Sequence, residues 1–216
     1  MERDQNPALG SRGTKGKHKH TPHPTLLWEQ LPQFFVELEG NKANELVMTL
    51  CALKVAFMTF LLASALSGMR WEEWDPYQDL WVIPGVRMKY GDAHLIIMTD
   101  PLREVLQTLR QLGTGNGYVF PSPRGASKGH MNPSLMNQHL VRLGYRGVLN
   151  AHGIRAILMT AEQEVLGFTA EIIQRQLSHS IGDKIRMVYY RSEILDERRG
   201  FMVSWCDALL AQGLQV

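Results

Sequence analysis

At 216 residues, with 44% hydrophobic and 20% charged residues, the chain is long enough for one good core and too apolar to be disordered throughout. A net charge of +2 carries no overall signature of a nucleic-acid binder, but its distribution is uneven: the stretch 29–79 is acidic, while most arginines fall between Arg87 and Arg199, and the planar guanidinium fork suits phosphate. No apolar run follows the first charges, so no secretory signal is expected, and Cys51 and Cys206, far apart in apolar helical patterns, read as buried free thiols of a cytoplasmic protein.

Residues 1–24 are polar, basic and rich in Gly and Pro, the composition of a linker or arm. Its histidines His18, His20 and His23 have no carboxylates or thiols nearby and read as a solvated basic tail rather than a metal site. Helices dominate from Leu26. Asn41 or Asn44 caps a long apolar helix running through Leu62. The segment Leu46 to Gly68 has the length of a membrane span, about 20 residues. Lys54 at its middle, costing roughly 2.5–3.5 kcal/mol in a bilayer, and the missing basic flanks argue for a core helix instead.

The period then changes. Val82–Ile83, Val86–Lys89 and His94–Met98 are short β-type runs separated by Pro84-Gly85 and Gly91-Asp92, predicting a small three-stranded antiparallel sheet. Asp100-Pro101 caps and starts a helix with Leu102, Val105, Leu106, Leu109 and Leu112 on one face. "GTGNGYVFPSPRG" is a loop around an extended piece. Further helices are predicted over 133–143, 154–166, 170–177 and 193–211, with Thr169 and Ser192 as N-caps of the last two. The fold class is α+β, mostly α: helices packed on one small sheet.

"AHGIRA" sets His152 and Arg155 three apart at a helix start, where both can face one side. Taken in order, "RMKYGDAH" with Lys89, "AHGIR", "QLSHS" with His179 and "VYYRSEILDERR" with Tyr189 and Tyr190 resemble the catalytic domain of tyrosine recombinases, specifically integrases of the prophage and genomic-island type. "WVIPGVRMK", "VFPS" and the closing "LDERRGFMVSW" extend the likeness over nearly the whole chain from about Asn6.

The resemblance implies site-specific recombination of double-stranded DNA at attachment-site cores, without metal or other cofactor. The nucleophile pattern of small residue, Tyr, polar residue, Arg falls on Val188 to Arg191. It makes Tyr189 the attacking phenol, forming a 3′-phosphotyrosine, with Tyr190 the alternative. Arg155, His152 and His179 would hold the phosphate and Lys89 would protonate the leaving 5′ hydroxyl. The chemistry fits these residue types. A phenol with pKa about 10 needs cations and a proton acceptor beside it, a guanidinium fork stabilises charge on non-bridging oxygens, and imidazoles titrate near working pH.

Two departures stand out. The family carries another arginine in an Arg-x-x-Glu pattern at the end of the long apolar helix. Anchoring on Trp71 and "WVIP" puts Leu62 at that arginine and Ala65 at the glutamate; the alternative donor is Arg70, with Glu73 three residues on. Loss of the arginine implies impaired cleavage, or an inactive DNA-binding or regulatory remnant. The resemblance also implies arm-binding and core-binding domains ahead of the catalytic one, and neither is expected within these residues. Residues 1–24 are then the linker and 25–216 the catalytic domain. Trp205, Met202 and Leu209 at helical spacing read as core or as a face for self-association on DNA; no membrane partner is expected.

Overall fold

The structure is a computed structural model describing residues 23–40, 47–88, 91–112, 117–122, 129–161, 167, 169–177 and 191–216. Its organising element is α2 (Val47–Thr59), buried on every side from Thr49 to Thr59. A helix apolar all round belongs either in a bilayer or at the centre of a core. Thirteen residues reach about 20 Å, short of a bilayer core of about 30 Å. Here α2 is the central helix, wrapped by α4 (Asp100–Gln111), α5 (Ser134–Arg142), α6 (Ile154–Ala161) and α8 (Arg191–Ala211). No helix among the described residues is long and apolar enough to cross a membrane.

Lys54 explains how a charge survives in that helix. Its ammonium lies 2.6 Å from the Glu39 carboxylate of α1 (Leu31–Gly40), and both side chains are buried. Burial pushes the lysine's proton affinity down, with Cys51 acting in the opposite direction. In the core, Phe34 meets Tyr145 and Phe35 meets Phe57 edge to face, the arrangement aromatic quadrupoles favour.

The sheet is antiparallel in the order β1-β2-β3: Trp74–Asp75, Leu80–Ile83 and His94–Ile97, with Leu80 opposite Ile97 and Ile83 opposite His94. Of the expected strand at Val86–Lys89, the described part, Val86–Met88, is not a strand. Gly85–Arg87 is a 3-10 turn, and the third strand is the pair Trp74–Asp75. Arg87 is drawn out of any ladder by the Glu73 carboxylate, to which it donates at 2.5 Å, and by the Ala65 carbonyl. The hairpin closes tightly: a Cβ on Gly85 would lie 2.0 Å from the Gly91 carbonyl oxygen.

Other boundaries differ for local reasons. The apolar helix stops at Thr59 rather than Leu62 because Phe60 takes a left-handed φ of 60°, a conformation that ends helices. A short α3 (Ala63–Ser67) follows. The N-cap of α4 is Thr99 rather than Asp100; its hydroxyl makes no cap bond and lies 3.2 Å from Cys206 Sγ. Thr169 holds the N-cap position of α7 (Ala170–Gln176) without a side-chain cap bond, and Ser192 lies inside α8. Asn41 and Asn44 lie outside the described residues. Both cysteines are buried thiols outside any disulfide, and burial pushes the Cys206 thiol up to about 11. Trp205, Met202 and Leu209 are core, with α8 packed on α2, α7 and β3.

Candidate active site

A helix leaves its last carbonyls without intrahelical donors, and the C-terminal end of α2 is where the site is built. Trp205 of α8 donates to the Phe57 carbonyl at 2.8 Å, Gln176 of α7 to Thr59, and Arg155 of α6 to Phe60. Arg155 donates with its other terminal nitrogen to the Leu177 carbonyl just past α7. The left-handed turn at Phe60 is therefore what aims a carbonyl at the guanidinium. Both acceptors are neutral oxygens at helix C-terminal ends, where the backbone dipoles favour a cation. Burial pulls the Arg155 pKa down to about 10, which leaves it charged at neutral pH.

A second arginine extends the network. Arg198, 7% exposed, donates to Gln176 Oε1 at 2.8 Å and to the Leu95 carbonyl at 2.6 Å. Among the described residues neither arginine pairs with a carboxylate. His94 lies beside both. It is buried, and burial, then Arg198, then Arg155 push its pKa down to about 3. It is a neutral interior imidazole.

His152 is exposed in the turn that starts α6. That turn is pinned from two sides: Ala151 N–H donates to Asn137 Oδ1 at 2.8 Å, and Gly153 N–H to Asn150 Oδ1 at 2.7 Å. His152 and Arg155 thus sit on one fixed turn, with Arg155 N–H donating to the His152 carbonyl at 3.2 Å. Lys89, His179, Tyr189 and Tyr190 lie outside the described residues.

Leu62 is extended (φ −65°, ψ 144°) and precedes α3, two residues beyond the carbonyl that holds Arg155. Arg70 is committed elsewhere. Its guanidinium lies 4.7 Å over the Tyr118 ring and 3.2 Å from Glu72. Glu73 is taken by Arg87, by the Trp81 indole and by the backbone N–H of Arg70. Ala65 is buried, and its carbonyl receives Arg87.

Sequence reasoning missed Arg198, Gln176 and the buried state of His94. For Arg198 the signal was present, since it falls on one helical stripe with Phe201, Met202, Trp205 and Leu209. Nothing in the sequence announces the left-handed Phe60.

A mostly helical domain with a three-stranded antiparallel sheet sets an arginine braced by two helix ends beside an exposed histidine, and the chain belongs to the tyrosine recombinase family. It is 32% identical over 188 residues to the prophage integrase IntA of Escherichia coli K12, covering 87% of this chain and 45% of that protein. It is likewise 32% identical to the integrase of Enterobacteria phage P4, over 95% of this chain and 50% of the relative. The chain thus spans about half the length of the curated relatives it matches. In fold it is similar to the integrase of mycobacterium phage Brujita (TM-score 0.61, 19% identity, 90% of this chain, 64% of the other). It is also similar to XerA recombinase (TM-score 0.55, 16% identity, 83% and 66%). No protein-family model matches the chain.

Proposed function

We propose that residues 25–216 are the catalytic domain of a site-specific DNA integrase, preceded by a linker at 1–24. On this reading the domain acts on double-stranded DNA at attachment-site cores. Tyr189 attacks a backbone phosphodiester, its phenolic proton passing to His152 or His179, and forms a 3′-phosphotyrosine as the departing 5′ oxygen takes a proton from Lys89. Arg155, His152 and His179 bear on the phosphate. The observation that carries this reading is Arg155: a charged guanidinium braced by two neutral carbonyls and unpaired with any carboxylate among the described residues. Such a group is preorganised for an anion.

A second reading, an inactive DNA-binding remnant, is favoured by Leu62. With Arg70 occupied by Tyr118 and Glu72, position 62 supplies no donor where the family resemblance puts an arginine. The absent donor is worth about 10²–10³ in rate, so cleavage is slow. Self-association through α8 remains part of the proposal. Its apolar stripe is used within the chain, which leaves Val203 and Leu210 as exposed apolar residues for a neighbouring copy.

The test uses a pool of nicked duplexes with a randomised core, on which cleavage traps the enzyme. A covalent protein–DNA adduct that Tyr189→Phe abolishes supports the integrase. No adduct at any concentration, with DNA binding retained, supports the remnant. An adduct lost only with Tyr190→Phe moves the nucleophile by one residue.

A further inference from the structure

The end of the linker touches the site. Thr25 Oγ1 donates to the Gly153 carbonyl at 2.8 Å, and the backbone crosses Gly153 so closely that a Cβ there would lie 1.9 Å from the Pro24 carbonyl oxygen. Leu26, 2% exposed, anchors the segment in the core immediately afterwards. Residues 23–25 therefore form a strap over the turn that starts α6, and position 153 must be glycine for the strap to lie there. The strap brings the His23 ring against that of His152, with centroids 4.0 Å apart and planes inclined by 46°.

We propose that His23 is a positioning residue for His152. The backbone of the α6 turn is fixed by Asn137 and Asn150, bonds that act on the main chain, whereas the His23 ring acts on the imidazole itself. An aromatic ring in contact narrows the rotamers open to its neighbour. A catalytic group displaced by about 1 Å loses as much as 10²-fold in rate. The ring of His23 thus restrains the one described histidine of the site that faces solvent. The inference rests on His152 being a phosphate-facing group, and it adds that the linker supplies part of the site's geometry.

The test uses the full chain, with nuclear magnetic resonance of the imidazole nitrogens and inorganic phosphate as the probe. The His152 signals are assigned by their loss in His152→Gln. In His23→Ala the His152 signals move in the free protein, and phosphate binds roughly two- to tenfold more weakly, the coupling expected of side chains in contact. His23→Phe, which keeps a ring in place, restores both. In the double variant His23→Ala/His152→Gln, phosphate binding is no weaker than in His152→Gln alone. His152 signals that ignore His23→Ala overturn the proposal, as do additive effects in the double variant. If His23→Ala moves the signals but phosphate perturbs His152 in no variant, the positioning role also falls. The fault then lies in the reading of His152 as a phosphate ligand, because the contact itself has been seen.

Discussion

His94 is an imidazole kept uncharged by burial beside two guanidiniums. Its folded pKa of about 3 lies below the ordinary value of about 6.5, so the unfolded chain binds the proton first and stability rises with pH across that window. The contribution is fully present above about pH 6.5 and is lost progressively as the pH falls toward 3, at up to roughly 1.4 kcal/mol per unit. Urea unfolding at pH 7.5, 5.5 and 4.5 should show this slope, and His94→Gln should flatten it; an unchanged slope in the variant would place the titration elsewhere. Arg155 makes a different demand. Arg155→Lys replaces a two-armed donor by a point charge that cannot satisfy the Phe60 and Leu177 carbonyls together. The expected cost is about 1–3 kcal/mol of stability, read by thermal unfolding. Cys51 and Cys206, buried in the folded chain, should react with an aromatic disulfide reagent only after denaturation.

At the scale of elements, α2 decides most. Its all-round apolarity was legible, and Lys54 within it correctly argued against a membrane span. Glu39 as the partner was not, because the pair joins two helices across residues that carry no sequence signal of contact. Glu39→Gln leaves a buried ammonium uncompensated and should destabilise by roughly 3–5 kcal/mol, whereas Lys54→Met with Glu39→Leu should be near neutral; denaturant midpoints decide between them. The helix from Asp100 and those expected around 133–143, 154–166, 170–177 and 193–211 were legible in the sequence, whereas the short α3 was not. Nor was the edge strand, since Trp74–Asp75 is only two residues long and Val86–Arg87 has a better strand composition. Glu73 reverses the outcome by pairing with Arg87. At the site, "AHGIR" located Arg155 and His152 on one turn. The carbonyls that brace Arg155 come from residues 95 and 22 positions away in sequence, and no local pattern encodes such contacts.

For the whole molecule, a net charge of +2 understates the local charge, because most of the arginines fall between Arg87 and Arg199. Binding to duplex DNA through phosphates should therefore weaken steeply with salt, and anisotropy titrations between 50 and 200 mM salt, about the range over which phosphate-dominated binding collapses, measure the slope. The central claim is that one arginine of the phosphate site is braced and ready while position 62 leaves its counterpart unfilled. The most direct measurement is the yield of covalent adduct on nicked duplexes for the native chain and for Leu62→Arg/Ala65→Glu. The account predicts a rise of about 10²-fold in the double variant, abolished by Tyr189→Phe. A native chain that already cleaves as fast as the double variant, and loses cleavage with Arg70→Ala, would contradict it.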